Sequence, residues 1–184
     1  MHTQSQHIET IVARFPESSL TKEFKDRLNS DARLTRDENP QSHFCVFFAA
    51  FDPVSKKVFI GHHKKSGLWL FNGGHIDMGE TPEGALQREM KEEWGLTVAL
   101  DLIGAPQLLT ITPIHNPTRQ PCTKHFDIWY FIPLSEKTFA PDRILLEKEF
   151  FISGWKSISE ARSLATNQNM SMALDAFEEL SRDQ

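Results

Sequence analysis

The stretch from Gly73 to Leu96, GGHIDMGETPEGALQREMKEEWGL, narrows the options for this chain more than any other segment. It holds five glutamates and an aspartate in 24 residues, against three basic side chains if His75 is counted. Its second half carries the start and stop signals of a helix. Thr81 suits an N-cap, and Pro82 takes the first helical position, where a missing N–H costs nothing. Glu83 follows in the first turn, where the helix dipole favours an anion. Gly95 can adopt the left-handed conformation that ends a helix. Together these predict a helix from Pro82 to Trp94. At about 100° per residue, Leu86 and Met90 share one side with Trp94 beyond them, and this is the face to be buried. Glu89, Glu92 and Glu93 fall on an adjacent face at i, i+3 and i+4. Like charges at those spacings destabilise a helix by roughly 0.2–0.5 kcal/mol per pair. Arg88 can bridge to Glu92, but one arginine cannot neutralise three carboxylates, and Glu80 brings a fourth acid to the same end of the loop. A glycine-rich lead-in, NGGHIDMGE, lets the backbone fold close over the helix. Carboxylates beside exposed backbone carbonyls form a hard-oxygen site suited to Mg2+ or Mn2+. A divalent ion turns the mutual repulsion into shared coordination.

The rest of the chain bounds what surrounds that helix. Its 184 residues suffice for one domain with a sizeable core and a small appendage. The net charge of -5 argues against broad binding to a nucleic acid polymer or an anionic membrane. It leaves room for a phosphorylated small molecule, since metal ions can supply positive charge. Cys45 and Cys122 are too few for a disulfide scaffold, lack metal-site spacing and read as ordinary thiols, Cys45 in a strand. The N-terminus lacks the pattern of a signal peptide, and no run of about 18 apolar residues exists, so a reduced cytoplasmic setting is the default.

Ile8, Ile11, Val12 and Phe15 recur at helical spacing before Pro16, and Ser19, Leu20, Phe24 and Leu28 suggest a second, serine-capped helix. Residues 35–42 are polar and read as a linker. Strands are expected over 43–51 and 56–63, joined as a hairpin by DPVS, and over 68–71. Further strands are expected over 97–104, 107–114 and 124–134, and within 147–158. Two helices close the chain, the last with Met170, Leu174, Phe177 and Leu180 on a core-facing stripe. The expected class is α/β or α+β, a mixed sheet covered by helices.

The acidic stretch resembles the signature of the Nudix hydrolase family. Gly74 is followed by HIDMG and Glu80, then by TPEGALQ, Arg88-Glu89, Met90, Lys91, Glu92-Glu93, Trp94, Gly95 and Leu96, and every specified position is met. The resemblance implies an α/β/α sandwich with a mixed central sheet. It implies a Nudix hydrolase domain over 41–184, preceded by a helical N-terminal extension over 1–40. It implies hydrolysis of a diphosphate bond, in a nucleoside diphosphate linked to another group, with Mg2+ or Mn2+. Carried over by position, Glu89, Glu92 and Glu93 would be the metal-binding or base carboxylates, oriented by Arg88. The Gly73 carbonyl would be a further metal ligand, and Glu80 would support the loop or a bound water. A non-catalytic nucleotide sensor and an isoprenoid diphosphate isomerase are the rival readings. The first could lose box carboxylates that are all present here, and the second needs a reactive cysteine that neither Cys45 nor Cys122 supplies convincingly.

Candidates for reading the substrate lie outside the box. Glu147, Glu149, His125 or Asp127 could complete the site. In KHFDIWYF, strand alternation sets His125, Asp127 and Trp129 on one face, suited to a pocket wall. Trp69, Phe71 and Trp129 could stack on a base. Arg119 and Lys124 flank a proline-rich loop that could reach a phosphate. His62 and His63 are adjacent with no cysteine near, which argues against a histidine-based zinc site there. The apolar stripes of the first two helices could form a homodimer interface, cap the substrate or finish the core.

Overall fold

Strand β1 (Ser42–Asp52) is the axis of the structure, and nearly all of it is buried. Its run of apolar residues is what a strand covered on both faces requires. The computed structural model describes residues 3–30, 33–114, 121–180 and 182. β1 leads through a tight turn into β2 (Lys57–His63), and the two pair antiparallel only at the hairpin end, Phe51 opposite Val58 and Asp52 opposite Lys57. Beyond that end they part. β2 pairs with β3 (Trp69–Leu70) and with β7 (Phe150–Ser157), both antiparallel. β1 pairs antiparallel with β4 (Asn72–His75) and, over Ser42–Phe51, in parallel with β6 (Lys124–Pro133). β5 (Leu108–Pro113) closes the far edge against β6.

Helices cover both faces, giving an α/β/α sandwich around a mixed sheet. On one face, α3 (Pro82–Trp94) inserts Ala85, Leu86, Met90 and Trp94 among Phe44, Val46 and Phe48 of β1 and Phe126, Ile128 and Tyr130 of β6. The same cluster takes residues from α4 (Leu100–Ile103) and α5 (Arg143–Glu149). On the other face, α6 (Ile158–Leu164) and α7 (Gln168–Leu180) bring Ala161, Met170, Ala173, Leu174 and Phe177 onto Trp129, Phe131 and Ile60.

The N-terminal helices α1 (Gln4–Val12) and α2 (Ser19–Ser30) finish the first core. Thr3 and Gln6 form a reciprocal capping box on α1, and Ser18 and Thr21 cap α2 the same way. Ile8, Ile11, Val12 and Phe24 are buried with β1 and α3, and the Phe24 ring lies 6.0 Å from that of Phe44 and 5.1 Å from that of Phe126.

One local expectation is corrected, and two segments take forms that the sequence left open. Residues 97–104 form no strand. Ile103 alone of Leu100, Leu102 and Ile103 is buried, no described strand pairs with the segment, and it makes the short helix α4 before Gly104. β7 lies within 147–158 as expected, and the residues just before it form the helix α5, which Asp142 caps by accepting from the N–H groups of Ile144 and Leu145. NGGH is a strand, since its pairing with β1 comes from tertiary context and not from its glycines.

Phe24→Ala is expected to lower global stability by about 3–5 kcal/mol in one cooperative denaturant transition. A loss under about 1 kcal/mol, or a separate early transition of the first two helices, would contradict this packing.

Candidate active site

The site forms where β4 meets α3. Thr81 caps the helix by accepting from the Gly84 N–H, and Gly95 ends it at φ 67. Strand alternation points Asn72 and Gly74 at the helix. At Gly74 a Cβ would lie 1.9 Å from Glu89 Oε1, so a side chain there would displace that carboxylate. Gly73 has the same constraint from the sheet side, with a Cβ position 2.5 Å from the Val46 carbonyl oxygen.

Arg88 ties the loop to the helix. Its Nε and Nη2 donate to the two carboxylate oxygens of Glu80 at 2.8 and 2.9 Å. Nη2 also reaches the His75 carbonyl at 2.8 Å, and Nη1 donates to Glu89 Oε1 at 2.8 Å. The bridge to Glu92 is longer, 3.4 Å, and Glu92 is exposed. Glu80 therefore braces the loop, and its Oε2 also accepts from the Asp77 N–H. The hydrogen bonds from Arg88 hold the Glu80 carboxyl below its ordinary range. Gln4 of α1 adds a second brace, its amide donating to the carbonyls of Asp77 and Glu80 at 2.8 and 2.9 Å.

Glu89 and Glu93 are each only 9% exposed. Burial pushes the Glu93 carboxyl up to about 8, against the pull of hydrogen bonds from Asn72 and the Gly73 N–H. The charges of Glu89 and Glu149 push it the same way. Burial also raises Glu89, although Arg88 opposes it. Glu149, at the end of α5, is the acid outside the box that Glu93 feels. Burial alone would raise Glu149, but Lys65 at 2.9 Å and His63 at 3.5 Å hold it below its ordinary range. Glu147 instead pairs with Arg143 in an exposed bridge.

The expected substrate-reading residues separate. Phe71 and Trp129 are 3% and 1% exposed. Trp129 stacks on Phe47 at 4.4 Å and donates to Thr110, while Phe71 meets its edge. Both are core side chains with no free ring face, which corrects the expectation that they stack on a base. Trp69 is partly exposed and stacks on His62 at 5.6 Å, with the Lys156 ammonium 6.0 Å from its ring. His125 and Asp127 do share the face away from α3. Asp127 is fully buried and accepts from Thr110, Thr112 and Asn169, with Oδ1 unpartnered. Arg119 lies outside the described residues. Asn72, Gln4 and Asn169 were not expected, because each acts on a group distant in sequence.

The sequence profile of the family described as NUDIX domain matches residues 41–175. Solved structures agree in fold. The E. coli dihydroneopterin triphosphate pyrophosphohydrolase is 19% identical, with a TM-score of 0.61 over 77% of this chain and 96% of that one. A C. elegans Ap4A hydrolase is 16% identical, with a TM-score of 0.60 over 77% and 98%. A NUDIX-family hydrolase from Clostridium perfringens is 29% identical, with a TM-score of 0.53 over 75% and 97%. The chain belongs to the Nudix family and is a Nudix-type hydrolase. Among its described residues, no helix is long and apolar enough to cross a membrane.

Gly74→Ala should leave the fold standing, because the end of a flexible side chain can move aside, while displacing Glu89. On the expectation that Glu89 is a metal ligand, Mn2+ affinity, read by electron paramagnetic resonance titration, should fall by about 10–100-fold. Unchanged affinity would remove the glycine from the design of the site.

Proposed function

We propose that the protein hydrolyses a diphosphate bond in a small, nucleotide-derived molecule. One observation carries this reading: two glutamates on one helix face are largely dehydrated, near each other, and clamped by Arg88, Asn72 and the Gly73 N–H. Such carboxylates are costly unless a cation joins them. The donor set is all hard oxygen, which fits Mg2+ or Mn2+. Glu89, Glu92, Glu93 and the Gly73 carbonyl would hold the ion. When bound, it would neutralise substrate charge and lower the pKa of an attacking water.

The protein's own groups do the rest. Arg88 holds Glu89 through Oε1. A carboxylate of the trio accepts the water's proton as the oxygen bonds to phosphorus. The bridging P–O bond breaks in line, and the departing phosphate carries off the electron pair. Glu149 completes the acidic wall, and Trp69 is the aromatic ring placed to stack on a base. Asp127 is fully buried beneath Thr110, Thr112 and Asn169, which corrects its place in a pocket wall. The names of two fold neighbours, a triphosphate pyrophosphohydrolase and an Ap4A hydrolase, support phosphoanhydride chemistry of this class.

Purified protein with Mg2+, tested on a panel of nucleoside triphosphates, nucleotide sugars, ADP-ribose and dinucleoside polyphosphates, should release phosphate, diphosphate or a nucleoside monophosphate from one class. Glu93→Gln should lower that turnover by at least about 10²-fold with an unchanged circular dichroism spectrum. No cleavage across the panel, or full activity in the variant, would overturn the assignment.

A further inference from the structure

The face of the sheet turned away from α3 carries a second constellation, built from residues that the hydrolase chemistry does not use as ligands. Strand register assembles it. Cys45 of β1 sits opposite His75 of β4, and His43 of β1 sits opposite His125 of β6, so all four side chains emerge on one face. One ligand atom from each lies within 4.8 Å of the others. The imidazole centroids are 4.7 Å apart for His43 and His75, 4.8 Å for His43 and His125, and 5.4 Å for His75 and His125.

Those spacings suit a tetrahedral ion. With Zn–N near 2.0–2.1 Å and Zn–S near 2.3 Å, ligand atoms stand roughly 3.3–3.7 Å apart and partner imidazole centroids about 5 Å apart. The rings are already at that separation, and closing the ligand atoms takes movements of about an ångström or less. Two further details point to a ligand. His125 Nε2 is buried and has no hydrogen-bond partner. His43 Nδ1 lies 3.1 Å from the Asn39 carbonyl, which can only accept, so Nδ1 carries the proton and Nε2 keeps its lone pair. A second-sphere carbonyl of this kind orients a metal-binding histidine.

We propose that His43, Cys45, His75 and His125 form a closed, four-coordinate site for Zn2+ that rivets β4 to β1 and β6. Ion binding would displace the Cys45 proton to solvent, giving a thiolate and three neutral imidazoles around the dication. Four protein ligands leave no open position, so the role is structural. It steadies the strand whose Gly73 and Gly74 seat the catalytic carboxylates, yet it lies on the other face and does not depend on the hydrolase reading.

The test is spectroscopic and needs no substrate. Chelator-stripped full-length protein is titrated with Co2+, then with Zn2+ or excess Mg2+. One equivalent of Co2+ should give a thiolate charge-transfer band and the intense visible bands of a tetrahedral ion. Stoichiometric Zn2+ should abolish both, and Mg2+ should not. Cys45→Ser should lose the charge-transfer band, Cys122→Ala and Glu93→Gln should keep it, and His125→Gln should weaken Zn2+ binding by about 100-fold or more. Wild-type protein that binds no Co2+, gives only the pale spectrum of an octahedral oxygen site, or loses the band in Cys122→Ala and not in Cys45→Ser would overturn the proposal.

Discussion

Two glutamate side chains held out of water on one helix set the terms for the rest of the structure. Glu89 and Glu93 repel each other and lack solvent, so the fold must hold them against their own preference. It does so with the adjoining face of the same helix. Leu86, Met90 and Trp94 are fully buried. Each such side chain contributes roughly 1.5–3 kcal/mol, against roughly 0.2–0.5 kcal/mol for each like-charge pair along a helix. The helix stays docked, and the strain falls on the carboxylates. Arg88 and Asn72 then fix where those carboxylates point.

The same logic explains the N-terminal helices. Their apolar stripes join the core that seats α3, and Gln4 reaches the carbonyls of Asp77 and Glu80 in the loop before that helix. A segment outside the family signature thus braces the loop from which Glu80 meets Arg88. The opposite face of the sheet is packed by α6 and α7 at one end. At the other it gathers His43, Cys45, His75 and His125.

Legibility in the sequence followed the range of the physics. The cap at Thr81, the proline after it, the glycine stop and the stripe of Leu86, Met90 and Trp94 all act within one helix, and its ends were read correctly. Long alternating or apolar strands such as β1 and β6 were equally plain. NGGH gave no strand signal because β1 imposes its conformation. The run over 97–104 misled because apolar content alone does not supply a partner strand. Phe71 and Trp129 looked like candidates for base stacking, and only packing showed them to be core. The histidine cluster was out of reach, since its members are close in register and far apart in sequence.

The central claim is that the acidic seat is unfavourable until a divalent ion fills it. Thermal unfolding of wild type and Glu93→Gln, each in chelator and in saturating Mn2+, tests it most directly. A carboxyl raised from 4.5 to about 8 destabilises the fold above its unfolded value, increasingly as pH climbs through that window. In chelator the variant should therefore be the more stable protein, with a gap that widens from about pH 5 to about pH 8. Mn2+ should stabilise wild type and reverse the order. A variant less stable than wild type in chelator across that range, with no response of wild type to Mn2+, would contradict the account.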